Sequence, residues 1–389
     1  MAKTYAYVGN WTVKSAGADG GIGIYEYDEA SGALRHIETV RGDLVAGMLC
    51  IDQKRGVLYS IDEAQNHAAF GHFGGGGRVA AFRIDPASGG LTLLGKEQPS
   101  FGTLTTYVAQ SGDGDFLVVA NHGDKQAITK TYRGEDGAYH ISTDFSTVNA
   151  ALYPLETDGA IGACCDLMEF PPDLSFNPPH IACLHAVYFA PDGEHCMMSN
   201  MKQNRLMLLR VDPQKRKLVN VAHLDCTEGN WPRYGAFHPE KKLFYLNNEH
   251  ALEINVVAYD PAGKLELLQT VSSEPDFFLD RTGKKPLQQT DIRISADGRF
   301  LYGACRGGGV INVYAIGEDG LLSRLQSFKL EGEAPRGMEL SPDGRFLLVA
   351  DPEAGSISSV CVGEDGRLKL SGILNHALQH PAPIVFYQV

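Results

Sequence analysis

The chain has 389 residues, 43% of them hydrophobic, and a formal net charge of −13. This balance excludes a general basic footprint for nucleic acid or an anionic membrane, so an anionic ligand has to be met by locally gathered cations. No apolar run reaches transmembrane length, and the first residues, Met1 to Val8, read straight into a strand without a signal peptide's apolar core.

Taken in chain order, short apolar runs and turns mark repeated units of four strands. The first unit runs from Tyr5 to about Val40, through Gly23-Ile24-Tyr25-Glu26-Tyr27 and the turn Ser31-Gly32-Ala33-Leu34. The second runs from about Gly47 to Leu94 and holds the strands Gly56 to Ile61 and Arg78 to Ile84. The third starts near Thr105, with Phe116 to Asn121 as its second strand. The period then breaks. Residues 122–180 include Ala163-Cys164-Cys165-Asp166, Phe170-Pro171-Pro172-Asp173 and Asn177-Pro178-Pro179, and a long loop insertion over one face is expected there. The later units start at His185, Tyr234, Asp291 and Gly337, with a shorter excursion over 274–289 that exposes Lys284 and Lys285. A turn phrase recurs between their first two strands: Ala190-Pro191-Asp192-Gly193, Ala296-Asp297-Gly298 and Ser341-Pro342-Asp343-Gly344.

A four-stranded unit cannot bury both its faces alone, and repeats of this length stack radially. The chain is therefore expected to form a single all-β domain over residues 1–389, a seven-bladed β-propeller. The first unit lacks its opening strand. The run Pro381-Ala382-Pro383-Ile384-Val385-Phe386-Tyr387 resembles the openings of other units and is expected to complete it, closing the ring.

In such a ring the start of each innermost strand lies beside the end of the second strand, around one mouth of the central channel. His185, Arg233 and Arg336 stand at strand starts; Asn121, Asn200, Glu249 and Arg306 stand at strand ends. Arg forks bind carboxylate or phosphate at two points and stabilise an oxyanion. Glu or His moves a proton. The group suits acid/base work on a small anionic substrate. A structural ion pair or loop cap is the plain alternative for any one of these residues. Trp11 and Trp231 suit stacking on a substrate ring or simple packing.

These residues also carry a resemblance. Tyr7-Val8-Gly9-Asn10-Trp11-Thr12, His185 to Gly193, Trp231-Pro232-Arg233 with Phe237-His238-Pro239, Asn248-Glu249 and Cys305-Arg306-Gly307 resemble motifs of the seven-bladed lactonase family. That family includes propeller-type 6-phosphogluconolactonases and carboxy-cis,cis-muconate cyclases. The resemblance covers nearly the whole chain. It implies catalytic roles for His185, Glu249, Arg233 and Arg306. Arg336, His180, Asn248, Trp11 and His122 are expected around them as substrate-binding residues. The chain departs from the family pattern at Cys183, where a histidine is common two residues before His185, at Tyr234, at Val349-Ala350-Asp351-Pro352 and in the insertion.

The resemblance implies hydrolysis of a sugar-acid lactone, with no metal or cofactor. A cycloisomerase acting on a carboxylic acid or lactone and a non-catalytic binding propeller are the alternatives. Gly74-Gly75-Gly76-Gly77 lacks the Lys-Ser/Thr of a phosphate loop and is expected as a hairpin loop, flanked by Asn66, His67, His72 and Phe73. The eight cysteines lack disulfide or zinc spacing, and reduced thiols in a cytoplasmic protein are expected.

Overall fold

Each recurrent turn closes on itself through its aspartate. Asp297 accepts from the Ser295 hydroxyl at 2.6 Å and from the Arg299 N–H at 3.1 Å; Asp343 repeats this with Ser341 and Arg345. The glycine that follows sits at φ of +70° or +71°, a left-handed conformation open to Gly at little cost. The turns therefore reverse the chain tightly, and successive strands pair antiparallel. In this computed structural model the described residues are 3–11, 20–64, 76–123, 127–176, 179–282, 284–376 and 379–389. Asn66, His67, His72, Phe73, Gly74, Gly75, Thr12, Asn177 and Pro178 lie outside them.

The strands form seven antiparallel blades. Blade 1 comprises Pro381–Gln388, Thr4–Asn10, Ile22–Asp28 and Ala33–Val40, so the C-terminal strand is its innermost member, as expected. The Thr4–Asn10 strand pairs with it from Thr4 opposite Gln388 to Asn10 opposite Pro381. Blade 2 is built on Leu49–Asp52 and Val57–Ile61, blade 3 on Thr105–Gln110 and Phe116–Asn121, and blade 4 on Leu184–Phe189 and His195–Asn200. Blade 5 is built on Pro232–Phe237 and Leu243–Asn248, blade 6 on Gln288–Ile294 and Phe300–Arg306, and blade 7 on Gly337–Leu340 and Phe346–Asp351.

Blades are fastened to each other by a repeated device. A buried tyrosine on a second strand donates its hydroxyl to a turn glycine carbonyl of another blade: Tyr7 to Gly89, Tyr59 to Gly159, Tyr245 to Gly320 and Tyr302 to Gly366, at 2.8–3.2 Å. Each ring fills the apolar gap between sheets while its hydroxyl stays satisfied. Nearer the channel, Thr106, Ser199 and Thr290 hydroxyls donate to the carbonyls of Leu184, Arg233 and Pro335.

The expected loop insertion at 122–180 is corrected by the structure. Asn149–Pro154 and Asp166–Glu169 are the third and fourth strands of blade 3. The extra material is mainly a hairpin, Ala127–Arg133 with Tyr139–Phe145, set between the second and third strands. Asn149-Ala150-Ala151-Leu152-Tyr153 is a buried apolar run, so blade 3 is complete. Its late position in the chain, after the hairpin, breaks the period seen in the sequence.

Candidate active site

Seven of the nine candidate residues line one cavity of about 260 Å³ at the starts of the inner strands: Trp11, His122, His185, Arg233, Glu249, Arg306 and Arg336. Two local features put them there. The first is a register shift between first and second strands. In blade 3 it falls at Thr106, in blade 4 at His185 and in blade 5 at Arg233 and Tyr234. A bulge gives one strand an extra residue and re-aims its side chain. Thr106, His185 and Arg233 all face the cavity.

The second feature is a repeated strand end. Asn10-Trp11, Asp62-Glu63, Asn121-His122, Asn200-Met201 and Asn248-Glu249 hold the same place in five blades. The second residue of each pair donates its N–H to the carbonyl of His380, Val45, Leu104, Cys183 or Trp231, just before the inner strand. All five of these second residues line the cavity. His380, Leu104 and Trp231 adopt φ between +52° and +59°, which brings their carbonyls round to these donors at some backbone cost.

The charges interlock. Glu249 Oε1 accepts from Arg306 Nη2 at 2.7 Å, and Glu249 Oε2 forms an ion pair 3.1 Å from Arg233 Nε. Arg233, 1% exposed, also donates from Nη1 to the Thr290 carbonyl, and its guanidinium lies 4.5 Å from the centre of the Tyr234 ring. Gln288 Oε1 accepts from Arg306 Nε at 2.9 Å. The Arg336 guanidinium stacks 3.5 Å above the centre of the Trp11 ring. Burial, and then the Arg233 charge, push Arg336 down to about 10 and lower Arg306. Arg336 therefore stays cationic at pH 7.

His185 is buried, with its Nδ1 lacking a hydrogen-bond partner among the described residues and its ring edge-on to Tyr234 at 4.9 Å. Burial first, and then Arg233, hold its imidazole well below 6.5, so it is neutral at pH 7. His122 Nε2 stands 2.7 Å from the Cys183 sulfur. Cys183 is buried behind His122, which lines the cavity.

Two expected binding residues lie elsewhere. His180 stacks on Phe176 at 3.7 Å and faces Glu228 at 3.6 Å, because backbone bonds between Asp173 and His180 hold that segment away from the channel. Asn248 is fully buried, donates to Asn255 within blade 5 and lies outside the lining of this cavity. Conversely, Glu63 lines the cavity without having been singled out from sequence. The Asp/Asn-X strand end it shares with Glu249 is the signal that marks it.

A second cavity, about 310 Å³, lies further along the inner strands. Arg336 reaches it too, but its other charges are spent on one another: Arg293 binds Asp291 at 2.5 Å and Glu339 at 3.2 Å, and Asp291 also accepts the Met338 N–H. The smaller cavity joins Arg336 to His185, Arg233, Glu249 and Arg306, and is the better candidate for chemistry.

The fold is a seven-bladed propeller with three arginines, two glutamates and two histidines gathered at one channel mouth. A family model described as Lactonase, 7-bladed beta-propeller matches residues 5–386, and the chain belongs to that family. A 6-phosphogluconolactonase of Bacillus subtilis is 26% identical over 341 residues, covering 86% of this chain and 84% of the relative. A 6-phosphogluconolactonase of an Enterobacter species is 28% identical over 265 residues, covering 68% of each chain. The structure of a periplasmic gluconolactonase of Pseudomonas aeruginosa superposes with a TM-score of 0.80 at 23% identity, over 99% of both chains.

Proposed function

We propose that the protein is a lactonase that opens the ring of a sugar-acid lactone in the channel mouth, without a metal. The observation that carries this reading is the joint lining of one cavity by three arginines and a neutral, buried histidine. Membership of the lactonase family supports it, and so do relatives named 6-phosphogluconolactonase.

In this reading the lactone carbonyl oxygen lies among Arg233, Arg306 and Arg336. As water adds to the carbonyl carbon, charge moves onto that oxygen, and fixed guanidiniums meet it in a site poor in water. They supply the positive charge that a metal supplies in other hydrolases. Glu249 spaces and orients Arg233 and Arg306. Trp11, with Arg336 stacked on it, presents a face to the sugar ring. Neutral His185 forms part of the wall beside the attacking water. The eight cysteines form no disulfide among the described residues, which supports a reducing, cytoplasmic setting.

The charge count favours hydrolysis over cycloisomerisation of a polycarboxylic acid. Among the described lining residues, three arginines face two glutamates, which leaves little excess charge for several carboxylates. A pH-stat assay on aldonolactones with and without phosphate, and on muconolactone-type compounds, tests the reading. Proton release on one class, undiminished by a chelator, is the expected result. Silence on every lactone would overturn it.

A further inference from the structure

Three arginines reach the mouth from blades 5, 6 and 7, and their spacing decides whether they can meet one oxyanion together. Glu249 fixes the first two, with one oxygen on Arg233 and the other on Arg306. Arg336 comes from blade 7 and is laid on the Trp11 ring. A cation keeps its attraction to a ring face anywhere within about 6 Å of the ring centre, so the finer placement of Arg336 has to come through its backbone.

Thr290 lies on the opening strand of blade 6, Gln288–Ile294, packed between the opening strands of blades 5 and 7. The pairing of that strand with Phe300–Arg306 slips between Gln289 and Ile292, so Thr290 and Asp291 belong to a bulge, and both are buried. The Thr290 carbonyl accepts from Arg233 Nη1. Its hydroxyl donates to the Pro335 carbonyl at 2.8 Å, immediately before Arg336; the Ala304 carbonyl, at 3.4 Å, is the weaker acceptor. Asp291 Oδ2 accepts the Met338 N–H at 2.7 Å, two residues after Arg336. Blade 6 therefore grips blade 7 on both sides of Arg336, from the bulge whose main chain also holds Arg233. Blade 1 closes the other side: a Cβ on Gly337 would clash with the Ala382 carbonyl.

The same device serves two other cavity residues. The Thr106 hydroxyl donates to Leu184 O at 3.0 Å, just before His185, and the Ser199 hydroxyl donates to the carbonyl of Arg233 itself at 2.6 Å. Thr106, like Thr290, falls at a register shift. Each hydroxyl ties down the next blade at or beside a residue that lines the cavity. Bonds that served only to join blades could end anywhere along the inner strands; these end at the mouth. We infer that Thr290 is a positioning residue of the site: its carbonyl anchors it to Arg233, and its hydroxyl sets the place of Arg336 relative to that anchor. The inference rests on the lactonase reading. Without the hydroxyl, the Pro335 carbonyl loses a buried donor, and the strand start that carries Arg336 is free to drift from the oxyanion.

The test measures kinetics on the lactone that wild type turns over fastest, for wild type, Thr290→Val, Thr290→Ser, Arg336→Ala and the double variant carrying Thr290→Val with Arg336→Ala. Valine keeps the threonine shape and removes the hydroxyl; serine keeps the hydroxyl. Each variant is first checked for a cooperative thermal transition, and Thr290→Ala replaces Thr290→Val should valine disturb folding. Thr290→Val is expected to lower kcat/KM by about 10–10²-fold, the effect of a small misplacement at the reacting centre, and Thr290→Ser to stay within about threefold of wild type. In the Arg336→Ala background, Thr290→Val is expected to cost less than about threefold more, because the side chain it places is gone. A structural role would instead multiply the two losses. A Thr290→Val near wild type, a Thr290→Ser as slow as the valine variant, or multiplied losses would overturn the assignment and leave the lactonase reading standing. A wild-type protein inert on every lactone would overturn both.

Discussion

Glu249 Oε1 accepts a hydrogen bond from Arg306 Nη2 at 2.7 Å, joining the second-strand ends of blades 5 and 6 across the channel mouth. With Arg233 on the other oxygen, one buried carboxylate separates two guanidiniums that would otherwise repel. Removing one partner of a buried charge pair costs on the order of 3–5 kcal/mol, because the remaining charges stay desolvated. The Arg306 side chain is 30% exposed, so solvent screens part of this and the lower end applies. Glu249→Gln keeps the volume and removes the charge. It is expected to melt well below wild type in a thermal or urea titration and to lose activity with it. A superimposable transition would show that the carboxylate is not the frame of the site.

Arg306 and Arg324 belong to the same blade and differ in what they face. Arg306 lines the cavity; Arg324 lies on the fourth strand, where it donates to the carbonyls of Ser272 and Glu274. If Arg306 stabilises the oxyanion, Arg306→Ala should lower kcat/KM by about 10²–10³-fold. Arg324→Ala should leave steady-state kinetics within about twofold, since it touches nothing in the channel mouth. Equal losses in the two variants would remove the site assignment.

The ring was legible because its signals are local and repeated. Asp-Gly turns and alternating strands follow from backbone preference, and the resemblance of Pro381 to Tyr387 to other inner strands was enough to place the closing strand. Blade 3 was harder to read, because a hairpin of 19 residues, from Ala127 to Phe145, separates strands that pair. At the site, His185, Arg233, Glu249 and Arg306 could be read from strand starts and ends. The bulges that turn His185 and Arg233 into the channel have no sequence mark of their own. His180 was misplaced because its nearness to His185 along the chain says nothing about the bridge to Asp173. Glu63 was overlooked although Asp62-Glu63 and Asn248-Glu249 repeat one pattern, because blade 2 shows no charge at its strand start to draw attention.

His185 gives stability a defined pH dependence. Burial, and then the Arg233 charge, keep its native pKa well below the ordinary 6.5 of the unfolded chain. As pH falls through about 6.5 the unfolded chain takes up this proton and the native protein does not. The contribution is therefore present above about 6.5 and is lost as pH falls, at up to about 1.4 kcal/mol per pH unit. His185→Gln lacks it. The stability of wild type minus that of the variant should shrink between about pH 7 and pH 5, measured by urea unfolding. His238 is lowered in the same sense, by burial, but both proteins keep it and it cancels in the difference. A difference that stays flat with pH would mean that the imidazole is charged in the native protein.

Ring closure makes the last strand a stability element. Pro381–Gln388 is the innermost strand of blade 1, and it also packs against blades 2 and 7. Ala382, Ile384 and Phe386 are buried between those sheets. Without it, Thr4–Asn10 would carry an unpaired edge along the channel, and the cores on both sides of blade 1 would open to water. Burying Ile384 and Phe386 contributes about 1.5–3 kcal/mol each and Ala382 about 0.8 kcal/mol, and unpaired backbone groups add to the loss. These three side chains alone are comparable to the lower end of the roughly 5–15 kcal/mol of a typical native protein. A chain ending at His380 should therefore lack the cooperative thermal transition of the full protein and show rapid proteolysis within blades 1, 2 and 7. A truncated chain that melts like the full one would show that the ring holds without its closing strand.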